Sequence, residues 1–180
     1  MRILKIILSF LGIVLALALI SALFVKKEYE VEKEIIINKP KEEVFEYLKF
    51  LKNQDNFSKW ASLDPNMKKS YSGTDGTVGF VSRWESENQD VGHGEQEIKK
   101  IIPGERIEYE LRFIKPFQAT EPAFLSTESL GENQTKVIWG FKGHMDYPFN
   151  LWLIFMDFEK MIGDDLQTGL LKLKTLLEKP

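Results

Sequence analysis

Residues 6–25 include no charged side chain, a run of twenty positions dominated by Leu, Ile, Ala and Val. As a helix rising 1.5 Å per residue, such a run is about 30 Å long, the thickness of a bilayer's hydrocarbon layer. Lys26 and Lys27 end it, and the chain beyond is charged and strand-patterned. The two parts need different solvents, so one shared core cannot satisfy both. The expected organisation is an N-terminal transmembrane anchor over 1–27 and one folded domain over 28–180.

Arg2 and Lys5 precede the run, as in a secretory signal. A cleaved signal has a shorter apolar core, roughly 7–15 residues, followed by a small-x-small site. Ala16-Leu17-Ala18 lies inside the run, and cutting there leaves residues 19–25 as an apolar tail. Ala22 is the other candidate end of a signal, but Ile20 is a poor partner for it. An uncleaved single-pass anchor is the expectation, with a cleaved signal and a buried soluble helix as alternatives. The amino terminus, Arg2 and Lys5 nearly balance Lys26, Lys27 and Lys33 in the positive-inside comparison. A short basic tail running straight into the apolar stretch favours the amino end inside and the domain outside the cytoplasm.

From Lys26 onward, 22 basic residues face 27 acidic ones, a formal charge of −5. A mildly acidic domain lacks the basic face that neutralises phosphates, so nucleic acid is not an expected partner. The chain has no cysteine, which excludes disulfides, thiolate nucleophiles and cysteine-ligated metals.

Residues 29–38 alternate, with Val31, Ile35 and Ile37 on one face, and read as a strand. Pro40, Glu42 and Glu43 then open a helix whose apolar stripe is Val44, Tyr47, Leu48 and Leu51. A short helix is expected around 55–60. Six further strands follow, at 67–72, 78–85, 91–102, 106–114, 123–130 and 135–143, joined by turns at Gly73-Thr74-Asp75-Gly76, Pro103-Gly104-Glu105 and Gly131-Glu132-Asn133. Ile162, Leu166, Gly169, Leu170, Leu173, Leu176 and Leu177 form a stripe at helical period. The order β-α-α-β6-α gives an α+β fold, a seven-stranded antiparallel sheet burying its apolar face against the terminal helix.

Particular residues in this order resemble the START-like helix-grip superfamily, in its polyketide cyclase/dehydrase-like (SRPBCC) branch. They are Lys59-Trp60 ahead of Leu63-Asp64-Pro65; Gly73 and Gly76 leading to Val78-Gly79 and Arg83-Trp84; and Gly92-His93-Gly94 with Gln96 and Ile98. Thr135-Lys136-Val137-Ile138-Trp139 and Ile162-Gly163-Asp164-Asp165 with Gly169-Leu170 and Leu173-Lys174 complete the set. The resemblance spans nearly the whole domain and implies a curved sheet wrapped around the C-terminal helix, with a cavity between them for an apolar ligand. It implies no particular reaction, since the superfamily mixes lipid carriers, receptors, cyclases and chaperone activators.

Strand parity selects the side chains that face such a cavity. Ile107, Tyr109, Leu111 and Phe113 share one face, opposite Glu108, Glu110 and Arg112. Val137, Trp139 and Phe141 oppose Lys136 and Lys142, and Val78, Phe80, Ser82 and Trp84 oppose Arg83 and Glu85. If Ile98 faces inward, so do Gln96, Gly94 and Gly92, and the glycines either vacate volume or permit curvature and bulges. Phe124 and Leu125 are both apolar, which leaves the parity of that strand, and of Glu128, open. The expected ligand-binding set is Trp84, Gln96, Tyr109, Leu111, Phe113, Trp139 and Phe141, with Leu166 and Leu170 from the helix. Trp60, near a helix–strand junction, is expected to pack there, with closure of the cavity mouth as the alternative. The loop 143–149 and the apolar segment 151–156 read as a lid or as a part that dips into the bilayer interface.

No catalytic constellation emerges. His93 and His144 are the only histidines, and neither has a metal-ligand partner at helical spacing. There is no Gly-x-Ser-x-Gly elbow and no Lys-Ser/Thr ending to the glycines at 73, 76 and 79. Neither a metal nor a cofactor is called for. Three readings of function stand. The first is a membrane-anchored module binding a lipid or other apolar small molecule. The second is a cyclase- or dehydrase-like enzyme with an apolar pocket. The third is a protein-interaction module acting through the outer sheet face.

Overall fold

In the computed structural model, which describes residues 1–179, the apolar run forms one helix, α1 (Arg2–Ala22). It is long and apolar enough to cross a membrane, and the most apolar part of it packs against nothing in the protein. Strand β1 (Glu28–Ile37) follows. Its alternation places Val31 and Ile37 in the core and leaves Glu30, Glu32 and Glu34 exposed. Helix α2 (Lys41–Lys49) starts directly after Pro40, with Glu42 and Glu43 in its first turn, where the positive end of the helix dipole favours acids. It buries Val44, Phe45 and Leu48.

The short helix expected around 55–60 is instead a 3-10 turn (Leu51–Asn56) followed by α3 (Lys59–Leu63). The Asp75 carboxylate, from the hairpin loop, accepts the backbone N–H groups of Leu51 and Lys52 at 2.8 and 3.3 Å and fixes where the turn begins. That long-range capping leaves no local trace in the sequence.

Strands β2 (Lys68–Ser72), β3 (Val81–Glu85), β4 (His93–Ile102), β5 (Arg106–Lys115), β6 (Ala119–Gly131) and β7 (Gln134–His144) join β1 in one antiparallel sheet. Its order is β1-β7-β6-β5-β4-β3-β2. Strand β3 begins later than alternation implies. Gly79, with φ +87°, interrupts the zigzag, so Val78 is exposed while Phe80 is buried; Val78 therefore leaves the inward set. Strand β6 resolves its own ambiguity. Ala123, Leu125 and Thr127 face inward, whereas Phe124 faces out and is nonetheless buried. It lies over Gly140, where a Cβ would sit 2.1 Å from its ring, and the Arg106 guanidinium covers it at 3.5 Å. Glu128 faces out and pairs with Lys136 at 2.6 Å.

After β7 the chain makes a 3-10 turn (Phe149–Leu151), a short helix α4 (Trp152–Phe155) and the long α5 (Phe158–Leu177). The Asp157 carboxylate caps α5 by accepting the Lys160 N–H at 2.8 Å. Helix α5 lies mainly across β1, with a smaller contact to β7. It buries Gly163, Leu166, Gly169, Leu170 and Leu173, the face its periodicity requires. Those leucines, the inward residues of the sheet and α2 form one continuous core.

Candidate functional site at the open end of the concave sheet

The register divides the inward face of the sheet into rows running across the strands. The row Ile107–Leu125–Trp139 is fully buried. The next, Ile98–Tyr109–Ala123–Phe141–Val31, is buried apart from the half-buried Phe141. Beyond it lie Ser82–Gln96–Leu111–Glu121 and then Trp84–Gly94–Phe113–Ala119. In these last rows Ser82, Leu111, Phe113, Trp84 and Ala119 are only half-buried. Helix α5 covers the β1 side of the sheet, so apolar side chains on the concave face at this end keep access to solvent. The open end is where β1 begins and β7 finishes, immediately after α1.

The nine sequence-selected residues divide between two environments. Tyr109, Trp139, Leu166 and Leu170 lie in the closed core. Trp139 packs edge-on to Phe57 at 5.5 Å and to Trp60 at 6.4 Å between ring centres, and its ring passes so close to Gly169 that a Cβ there would lie 2.7 Å away. Burial, reinforced by nearby Asp75, pushes the Tyr109 hydroxyl's pKa up, so it remains protonated. Gln96, Leu111, Phe113, Trp84 and Phe141 belong to the open end or border it. Gln96 is buried beneath the half-buried side chains around it.

Gly94 of β4 and Gly92 just before that strand do not leave room. A Cβ on Gly94 would lie 2.5 Å from the Trp84 ring, and one on Gly92 would lie 2.1 Å from the Lys115 carbonyl oxygen. Their role is close approach beside the bulge between His93 and Gly94. The Trp84 ring folds over Gly94, donates its Nε1–H to the Val91 carbonyl at 3.3 Å, and stands edge-on to Phe113 at 6.3 Å.

Two polar residues of this end escaped the sequence reading. Glu121 pairs with Leu111 on the concave face and is buried; its Oε1 accepts the His144 backbone N–H at 3.0 Å. Tyr29 arches over Gly143, where a Cβ would lie 2.1 Å from the ring, and its ring contacts Phe158 at 5.7 Å and Phe141 at 6.2 Å. Burial pushes the Glu121 carboxyl above the usual carboxylate range, with Asp146 and Glu28 adding to it, against the His144 N–H and ring. Burial and the Glu121 charge push the Tyr29 hydroxyl up to about 12. The site thus offers a carboxyl that holds its proton more tightly than an exposed one and a phenol that keeps its proton, set among aromatic rings. Pro122 beside Glu121 masked the strand in the sequence, although alternation carried back from Leu125 would have found the carboxylate.

Tyr29 also lines a cleft of about 380 Å³, shared with Lys26, Leu153, Phe155 and Phe158 and placed at the exit of α1. The His144 ring sits on the surface, 3.3 Å from Asp146 and 3.8 Å from Glu28. Among the described residues no three His, Cys, Asp or Glu side chains are grouped to hold a metal ion.

The outer face of β3–β5 is an ionic lattice. Arg112 bonds Glu95 at 2.6 Å, Glu97 at 2.7 Å and also Glu110, while Arg83 Nε reaches Glu95 at 2.9 Å. These bonds hold Glu95 and Glu97 below the usual carboxylate range. Lys99 also pairs with Glu97 at 3.2 Å and Glu110 at 3.8 Å, so three cations meet three carboxylates in this lattice.

Residues 28–178 match the family described as polyketide cyclase / dehydrase and lipid transport, and the chain belongs to that family. No curated protein matches the sequence. Solved structures share the fold. Protein MLL2253 from Mesorhizobium loti aligns with a TM-score of 0.59 at 14% identity, over 83% of this chain and 97% of its own. The Aha1 dimer from Colwellia psychrerythraea aligns with a TM-score of 0.56 at 17% identity, over 83% and 96%. Ara h 8.0201 gives 0.54 at 12%, over 84% and 99%. At these identities the likeness establishes the helix-grip fold alone.

Proposed function

We propose that this chain is a single-pass, membrane-anchored binding module that holds a lipid or other apolar small molecule at the open end of its grip. Residues 1–27 serve as the anchor and residues 28–180 as the helix-grip domain, with the domain outside the cytoplasm. The observation that carries this reading is the change along the concave face, from sealed rows at Trp139 and Tyr109 to half-open rows at Leu111, Phe113 and Trp84. Inward apolar side chains that retain solvent contact bind apolar matter favourably, by about 25 cal/mol for each Å² removed from water. Gln96, Glu121 and Tyr29 supply the few polar contacts that orient a ligand's polar end. Trp84, Gln96, Leu111, Phe113 and Phe141 form its lining, and Tyr109, Trp139, Leu166 and Leu170 form the floor.

Glu121 also favours a second reading, a cyclase- or dehydrase-like enzyme in which its proton is delivered to a bound substrate. Native mass spectrometry of the detergent-extracted full chain, before and after Glu121→Gln, separates the two. Lipid retained by both proteins supports a binding module. A ligand that the variant holds unchanged but the natural chain converts identifies the enzyme. No bound lipid, and no saturable change in tryptophan emission with added fatty acid, refutes ligand binding.

A further inference from the structure

An α-helix ends with four carbonyl groups that have no partner within the helix, and α1 has part of this need met by the domain. Asn150 is fully buried, and its Nδ2 donates to the carbonyls of Ala22 at 2.7 Å and Val25 at 3.0 Å. The Met145 N–H donates to the Lys27 carbonyl at 2.8 Å, and Lys26 pairs with Glu159 at 3.0 Å. Ala22 is the one residue of α1 that is buried. The loop between β7 and α5 is therefore fastened to the end of the anchor, with little freedom to tilt away from it.

Beside Asn150 that loop exposes large apolar side chains. Phe149 is 66% exposed, Trp152 54%, Ile154 58% and Phe155 77%. Leu23 and Phe24, on the last turn of the anchor, are exposed next to them. In water this cluster would be an anomalous patch. Its position supplies the explanation: a helix spanning about 30 Å of hydrocarbon ends at the headgroup layer, and the loop is pinned at that end. Trp152 suits this layer because an indole pairs an apolar body with a polar N–H, the Phe, Ile and Leu side chains gain by leaving water, and Lys26 and Lys27 would then stand at the level of the lipid phosphates.

We infer that the exposed side chains of 149–156, together with Leu23 and Phe24, enter the interfacial layer of the bilayer that α1 crosses. The domain then sits on the membrane, with the cleft at Tyr29 and the open end of the concave face turned toward lipid. A ligand passes between bilayer and groove without crossing water. The inference rests on the anchor reading of α1 given above.

The absence of cysteine from the chain makes a single labelling site simple to install. Full-length Phe155→Cys and Leu171→Cys, each labelled with an environment-sensitive nitrobenzoxadiazole dye, are reconstituted in phosphatidylcholine–phosphatidylglycerol vesicles. Leu171 is also exposed but lies in α5, about 20 Å along that helix from its first residue Phe158 at 1.5 Å per residue. Label at position 155 should emit to the blue of label at 171 and lose its quenching by aqueous iodide. The natural chain in vesicles of acyl-brominated lipid should show Trp152 quenching that Trp152→Phe removes. Retention through alkaline carbonate with equal dye spectra at the two positions and no Trp152 quenching overturns the inference while the anchor stands. Release of the full chain by carbonate overturns both.

Discussion

Two glycines on the buried side of α5 should respond oppositely to the same substitution. Replacing Gly with Ala inside a helix gains about 1 kcal/mol in propensity, so Gly163→Ala and Gly169→Ala begin from the same gain. They part on what the new methyl meets. At Gly163 the Cβ lies 2.6 Å from Lys33 Cε, 3.3 Å from its Nζ and 3.4 Å from Val31 Cγ1. The lysine contact is the mobile end of a long side chain, which swings aside at little cost. At Gly169 the Cβ lies 2.7 Å from a Trp139 ring carbon and 3.3 Å from the Phe57 carbonyl oxygen. Carbon pairs pack at about 3.5–4.0 Å, so the ring must retreat by roughly 1 Å, and Phe57 and Trp60 stand against it. Overpacking of this kind costs about 1–3 kcal/mol. Gly163→Ala should therefore stabilise by up to about 1 kcal/mol, and Gly169→Ala should come out from neutral to about 2 kcal/mol destabilising. Thermal unfolding of the full chain in detergent micelles reads the difference, since 1 kcal/mol moves the midpoint of a domain this size by about 2–4 °C. A Gly169→Ala midpoint equal to or above that of Gly163→Ala would refute the close approach of α5 to Trp139.

Two further predictions concern polar groups. Because burial raises the Glu121 pKa in the folded state, its protonated form stabilises the fold at low pH. That contribution fades as pH rises through the raised value. Glu121→Gln keeps an oxygen for the His144 N–H and removes the ionisation. Its melting temperature should exceed that of the natural chain near pH 8 and converge with it near about pH 4; a gap constant across this range would show that Glu121 is not desolvated. Asn150→Ala removes both hydrogen bonds to the anchor's last carbonyls, worth about 1 kcal/mol each, so tryptic cleavage at Lys26 and Lys27 should accelerate by about thirtyfold. An unchanged cleavage rate in micelles would show that Asn150 does not hold the junction.

The sequence by itself determined the elements whose pattern is local. A charge-free run of twenty residues defines α1, two-residue alternation defines the faces of β1, β5 and β7, and the leucine stripe defines the buried side of α5. In each case the signal is a period matched to the geometry of one element, and one solvent boundary enforces it. What pairs residues distant along the chain was decided only by the tertiary structure. Phe124 is buried on the outer face because Gly140 of the neighbouring strand makes room and Arg106 covers it, which in turn leaves Leu125 and Glu121 to the inside. Gly92 and Gly94 look like vacant volume along the chain, yet the Lys115 carbonyl and the Trp84 ring occupy the space beside them. Asn150 caps a helix that ends 128 residues earlier. Whether a side chain is exposed, paired or desolvated depends on what the fold brings against it, and periodicity along one strand or helix has no access to that neighbour.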